Sequence, residues 1–157
     1  MTGVSRMKTV RAVVAGLLAA VVAVFAAPAP SMASDDNFFV LCSNSGVSCQ
    51  TGVQVAGPVG ECLMAPAQQA STIVCVDYDG DYVYVKDNKS DGYPGFGEIV
   101  SQNGDVRDRI CRNNHTAGTW ARCNFNWVEA GWKDVLGGIL KSDRDMSYAY
   151  LWVFSGK

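Results

Sequence analysis

The chain has 157 residues, 48% of them hydrophobic and 18% charged, and a formal net charge of −2. Three of its thirteen basic residues, Arg6, Lys8 and Arg11, lie ahead of an apolar run, so the remainder carries ten Lys+Arg against fifteen Asp+Glu, a balance of −5. An acidic surface repels phosphate backbones and anionic headgroups, which argues against nucleic acid or an anionic membrane as a partner.

Ala12 to Ala27 is uninterrupted apolar sequence, followed by Pro28, Pro30 and Ser31-Met32-Ala33. A positive start, a short apolar stretch and a small-x-small end describe a secretory signal peptide over 1–33, with the exported chain beginning at about Ser34. The run falls short of the roughly 18 to 20 residues that span a bilayer, so no stable membrane insertion is expected after cleavage. All six cysteines, Cys42, Cys49, Cys62, Cys75, Cys111 and Cys123, follow the leader. An even count in an exported chain predicts three disulfides in an oxidising compartment. Zinc is the rival reading, but no two cysteines have C-x2-C or C-x4-C spacing and His115 is the sole histidine.

Residues 34–71 show no clean period and are read as an irregular segment with at most one short strand, held by whichever bonds Cys42, Cys49 and Cys62 make. Thr72 to Tyr78 and Asp81 to Lys86 are β-prone runs around Asp79-Gly80, a hairpin signal that sets Val76 opposite Val83 and Val74 opposite Val85. Asn103-Gly104 suggests a second hairpin. Its two-residue register would put Val100 against Arg107 and Ile99 against Asp108, a poor match that calls for a longer loop or a bulge. Thr119 to Trp127 alternates again, and folding it back across the turn-rich segment 113–118 brings Cys111 opposite Cys123. Val128, Trp132, Val135, Leu136 and Ile139 are helically spaced, which allows one short helix near 128–140 despite Gly131, Gly137 and Gly138. Ser147 to Phe154 forms the last strand. The expected fold is mainly β, a small disulfide-stapled antiparallel sandwich or barrel over 72–157, preceded by the irregular segment and the cleaved signal helix.

Asp77, Asp79, Asp81, Asp87 and Asp91 are the candidates for a weak calcium site; otherwise no metal or cofactor is expected. Asp87 to Glu98 copies part of an EF-hand loop, but Lys89 and Pro94 break it. Nucleophilic catalysis lacks support, because His115 sits among turn residues and the cysteines are assigned to bonds. A carboxylate pair would have to come from acids such as Glu98 and Glu129, beside aromatic segments. The aromatics are more informative. Tyr148, Tyr150, Trp152 and Phe154 alternate along the last strand, and Tyr82 with Tyr84 along the second, as a ligand-stacking face if exposed or a core if buried.

The run GDYVYVKDNKSDG (Gly80 to Gly92) and the run ICRNNHTAGTWARCNFNWVE (Ile110 to Glu129) together resemble a group of small secreted actinobacterial, Streptomyces-like proteins. These combine a G-D-x-hydrophobic-x-V-x-D-x-x-x-D-G element with a C-x-N…G-x-W-x-x-C-N element and a following glutamate. The resemblance spans about Val74 to Phe154 and implies secretion and a β fold, but no catalytic residue. Members of that group commonly carry a cysteine in the last strand; Leu151-Trp152-Val153 has none, so the resemblance leaves the partner of Cys75 open, with Cys62 one candidate.

The leading functional expectation is a non-enzymatic extracellular module binding a cell-wall or environmental glycan, or a protein. The alternative is a secreted protease inhibitor presenting the 112–122 loop, with Asn113, Asn114, His115 and Thr116 at its tip. A small glycan hydrolase is the third.

Overall fold

The computed structural model describes residues 38–66, 72–141 and 146–157, so the predicted leader lies outside the described residues. In chain order the elements are α1 (Phe38–Cys42), β1 (Val47–Thr51), β2 (Val53–Val55), β3 (Glu61–Met64), β4 (Thr72–Asp77), a 3₁₀ turn (Tyr78–Gly80), β5 (Tyr82–Asp87), β6 (Gly95–Ser101), β7 (Asp108–Asn113), β8 (Trp120–Asn124), β9 (Trp132–Leu140) and β10 (Met146–Ser155). They form two packed five-stranded sheets. The first runs β1-β7-β6-β9-β10 and the second β2-β8-β5-β4-β3. β1 and β7 are parallel and the other neighbouring pairs antiparallel. The sheets stay open at their edges, a sandwich rather than a barrel.

The valine alternation of the first hairpin builds one side of the core. Val74 pairs with Val85 and Val76 with Val83, all four completely buried. The turn is wider than two residues, a 3₁₀ turn closed by Asp81 in the left-handed region at φ 52°. Against these valines the first sheet sets Ile99, Cys111, Val135, Trp152 and Phe154. Gly97 and Gly137 stand opposite each other there. A Cβ at either position would lie 2.9 or 2.8 Å from a Val74 methyl. The absence of two side chains therefore lets Val74 reach into the first sheet and sets the spacing between the layers.

The helix expected near 128–140 is not formed; Trp132–Leu140 is strand β9. The apolar spacing is real, but β9 lies between β6 and β10 and hydrogen-bonds to both, pairing a helix would forfeit. Gly138 fits the strand because a Cβ there would sit 1.9 Å from the Ser147 carbonyl oxygen. The second hairpin pairs Ile99 with Arg109 and Val100 with Asp108, one residue away from the two-residue register. The longer loop still sets a charged residue opposite each apolar one, but it turns Arg109 inward beside Ile99, where Ser101 and the Val106 and Asn126 carbonyls receive its guanidinium.

The segment 34–71 is more regular than its sequence suggests, since α1, β1, β2 and β3 fall within it. All three strands are short and lie at sheet edges, where half-exposed residues show no clear alternation. α1 covers part of the outer face of the first sheet, packing Phe38 and Leu41 with Phe96, Ile110, Leu140 and Met146 in a second apolar cluster.

All six cysteines are bonded, as Cys42–Cys49, Cys62–Cys75 and Cys111–Cys123. The first ties α1 to β1, and the second joins directly opposed residues of β3 and β4. Cys111 and Cys123 are bonded, yet not as partners in one hairpin. β7 belongs to the first sheet and β8 to the second, so this bond crosses the core. Three such bonds fit an oxidising, extracellular type of compartment, and no helix among the described residues is long and apolar enough to cross a membrane.

Polar plugs close the two ends of the core. Thr72 donates to the Gly138 carbonyl at 2.7 Å, and Asn113 donates to the Val85 and Thr119 carbonyls. At the other end Arg109 donates to Ser101 and the Val106 and Asn126 carbonyls, and Lys133 to the Glu129 and Gly131 carbonyls. Burial lowers the pKa of both cations.

If Val74 sets the layer spacing, Gly97→Ala or Gly137→Ala should lower stability by about 1–3 kcal/mol through overpacking. Val74→Ala in the same chain should recover part of that loss. Urea midpoints measure both, and a neutral Gly137→Ala would contradict the close approach.

Candidate functional site

β10 decides which aromatic residues are available to a ligand. Its first half pairs Tyr148 with Gly138 and Tyr150 with Leu136, so both rings stand on the outer face. A bulge at Leu151 then shifts the register, and Trp152 pairs with Val135. One extra residue turns the following side chains to the opposite face. Tyr148 and Tyr150 are each 53% exposed, whereas Trp152 and Phe154 are 9% and 8% exposed in the core. The aromatic stripe expected to share one face is thus split, and Trp152 leaves the candidate ligand set. Its indole N–H donates to the Tyr78 hydroxyl at 3.0 Å.

Tyr82 and Tyr84 are on the outer face of the second sheet, with ring centroids 6.4 Å apart. That face is already engaged by its own cations. The Arg122 guanidinium lies 4.7 Å from the Tyr82 ring centre and the Lys86 ammonium 5.9 Å from that of Trp120. Tyr84 is 4% exposed among these neighbours.

On the outer face of the first sheet, the residue next to inward-facing Gly97 is Glu98. It pairs with Ile110 of β7 on one side and Leu136 of β9 on the other. Asp108 and Asp134 flank Val100 in the adjacent row, on the same two strands. Such diagonal neighbours lie about 7–8 Å apart. Three carboxyl groups therefore share one face across three adjacent strands. Glu98 is 8% exposed. Burial, with the Asp108 charge adding to it, pushes its pKa up to about 7. Arg112, the cation on this face, is occupied elsewhere: it donates to Thr51 Oγ1 at 3.0 Å and lies 4.1 Å from the Phe38 ring centre. Beyond Leu136 lies exposed Tyr150.

The calcium candidates divide between two ends of the molecule. Asp77 and Asp79 line an open cavity of about 610 Å³ with Gly60, Tyr78, Glu129, Gly156 and Lys157. The Asp81 carboxylate accepts the Trp127 N–H, and burial raises its pKa. Asp87 and Asp91 are at the far end of β5, accepting the N–H groups of Lys89 and Tyr93 within their own loop. No three His, Cys, Asp or Glu among the described residues converge as a metal-binding group. Two of the cavity's polar side chains, Tyr78 and Lys157, are engaged within the chain. The Tyr78 hydroxyl donates to Glu61, and burial first, that bond second, pushes its pKa to about 12. The Lys157 ammonium sits 4.9 Å from the Tyr78 ring centre.

The 113–118 loop is pinned rather than presented. Asn113 is completely buried, its side-chain oxygen accepting the His115 N–H. His115 Nε2 is 2.9 Å from the Gly52 carbonyl, while Thr119 N–H and hydroxyl both donate to Thr116. Asn114 and Thr116 remain exposed. Glu129 is grouped with Asp81 and Lys133 and does not join Glu98.

No protein-family model matches the chain, and comparison with curated proteins and with solved structures finds no match to either.

Asp108 and Leu136 entered the sequence reading only as a register position and a helix position, and Asp134 not at all. Their grouping needs the one-residue shift of the second hairpin and a strand at 132–140.

Glu98 carries a pH signature. Its folded pKa of about 7 exceeds the ordinary 4.5, so the native state binds the proton more tightly than the unfolded chain. Its contribution is fully favourable below about pH 4.5 and is lost as pH rises through about 7. Glu98→Gln, neutral throughout, should therefore raise stability at about pH 8 by on the order of 1–3 kcal/mol and leave it little changed at about pH 4. Denaturation midpoints at the two pH values test this, and an equal gain at both would refute the assignment.

Proposed function

We propose that the protein is a secreted, non-enzymatic module that binds a glycan through the outer face of β9 and β10. The observation that carries this reading is the placement of Tyr148 and Tyr150. They are half-exposed, share one face at alternate positions of an edge strand, and neighbour a buried carboxyl. Alternate strand residues lie about 6.8 Å apart, a spacing that lets two rings contact successive parts of one extended chain. Each ring offers an apolar surface to sugar C–H groups and a hydroxyl to their oxygens. Trp132 and Val153, 42% and 51% exposed, extend the patch along the same two strands.

Secretion is supported by the leader pattern before Ser34 and by three disulfides after it. Hydrolysis by Glu98 with Glu129 gains no comparable support, because Glu129 is grouped with Asp81 and Lys133 and away from Glu98. Inhibition through the 112–122 segment gains no comparable support, since Arg112 and Asn113 are buried and 120–124 is strand.

Co-sedimentation of the oxidised protein with insoluble polysaccharides tests the reading. Retention should fall about tenfold on combining Tyr148→Ala with Tyr150→Ala, given roughly 0.5–1.5 kcal/mol for each aromatic contact. Tyr82→Ala should leave it unchanged. Undiminished retention in the double variant would overturn the proposal.

A further inference from the structure

We infer that Arg109, with Ser48 and Asn126 around it, forms a binding site for a single carboxylate, on a ligand the size of one uronic-acid unit, at the β1 edge of the sandwich. The site stands apart from the tyrosine face, because β1 and β10 are opposite edges of the first sheet.

The site is an open cavity of about 330 Å³ between β1 and the end of β8, where the two sheets part. In the parallel ladder of β1 and β7, Ser48 pairs with Arg109 and Gln50 with Cys111. Both β1 side chains therefore stand on the inward face, beside the guanidinium and the disulfide that crosses the core. Gln50 bridges to the facing sheet, its amide donating to the Asn124 carbonyl and accepting the Asn124 N–H. Asn126 follows on the same side, and its carbonyl accepts Arg109 Nε–H at 2.9 Å. A disulfide, a two-way amide bridge and the arginine itself thus hold the walls, so the cavity is preformed.

The charge at its base singles this cavity out. Arg109 is only 5% exposed and lines the cavity. Its Nη1 donates to Ser101 Oγ at 2.9 Å and to the Val106 carbonyl at 2.8 Å, as Nε does to Asn126. All three acceptors are neutral, and these bonds use Nε and Nη1 but not Nη2. A buried cation is costly unless an opposite charge meets it. Closing the end of the core against neutral acceptors needs only a neutral donor. The guanidinium adds a positive charge and the remaining arm of its fork.

The surroundings select the ligand. The Ser48 hydroxyl and the Asn124 and Asn126 side-chain amides add donors around the cavity. Donors gathered about one guanidinium are the complement of an oxyanion. The Asp81 and Asp108 charges offset part of that of Arg109, so at most one positive charge is on offer. A singly charged carboxylate matches it better than a doubly charged phosphate. The volume is at the small end of ligand cavities, which run to about 300–1,000 Å³, and suits one sugar ring rather than a chain. Side-chain amides, donors and acceptors at once, complement the ring hydroxyls.

Titration of the oxidised protein with glucuronate at pH 7 and low salt, followed by amide and side-chain NMR shifts, tests the site, with glucose and inorganic phosphate as comparison probes. Glucuronate should bind at least tenfold more tightly than glucose and more tightly than phosphate, with shifts gathered at Ser48, Arg109, Asn124 and Asn126. Ser48→Asp, which sets a carboxylate of the chain's own beside Arg109, should weaken glucuronate binding at least tenfold and raise the melting temperature. Titration of the unaltered protein keeps the test independent of how the variant folds. Equal binding of glucuronate and glucose, or binding of neither, would overturn the site. Shifts gathered elsewhere, or undiminished glucuronate binding by Ser48→Asp, would overturn its location, and tighter binding of phosphate would overturn the carboxylate. Each of these results leaves the tyrosine-face reading standing, since none of its residues enters the test.

Discussion

The contact of Val74 with Gly97 and Gly137 orders the rest of the molecule. Two adjacent strands of the first sheet carry no side chain at this point, and a fully buried valine of the second sheet fills the space. Strand residues alternate between faces. Once Gly97 faces inward, Glu98 must face outward, and Gly137 facing inward likewise turns Leu136 outward. The close approach of the two layers is thus also what places a carboxyl and its apolar neighbour on the opposite surface. Core packing and the candidate site are two sides of one register.

The bulge in β10 does the complementary work. Without it, Tyr148, Tyr150, Trp152 and Phe154 would all share a face, either burying the tyrosines or exposing the indole. The extra residue at Leu151 gives the core Trp152 and Phe154 and gives the surface Tyr148 and Tyr150. It also twists an otherwise uncharged edge strand, a device that discourages unwanted pairing with another chain.

Much of the architecture was legible from residue order alone. The valines of the first hairpin predicted their own partners, and Cys111 with Cys123 was recognisable as a bond. What could not be read was the assignment of strands to sheets. Cys111 and Cys123 looked like hairpin neighbours because a turn-rich linker joins them, yet β7 and β8 diverge into different layers. Helical spacing at 128–140 was outweighed by pairing on both sides of β9, which depends on residues far away in sequence. The edge strands between Val47 and Met64 are too short and too exposed to leave a pattern. For the site, the tyrosines were visible as an alternation, but their separation from Trp152 depends on a bulge. The role of Glu98 depends on a register that only the longer loop after Ser101 permits.

The most direct measurement of the central claim is the mapping of amide and side-chain NMR shifts in the oxidised protein during titration with a soluble oligosaccharide cut from a polysaccharide that retains it. Shifts concentrated at Glu98, Leu136, Tyr148 and Tyr150 are the result this account requires. Shifts concentrated instead at Tyr82, Tyr84 and Trp120 on the second sheet, or at Tyr78 and Lys157 in the end cavity, would contradict it.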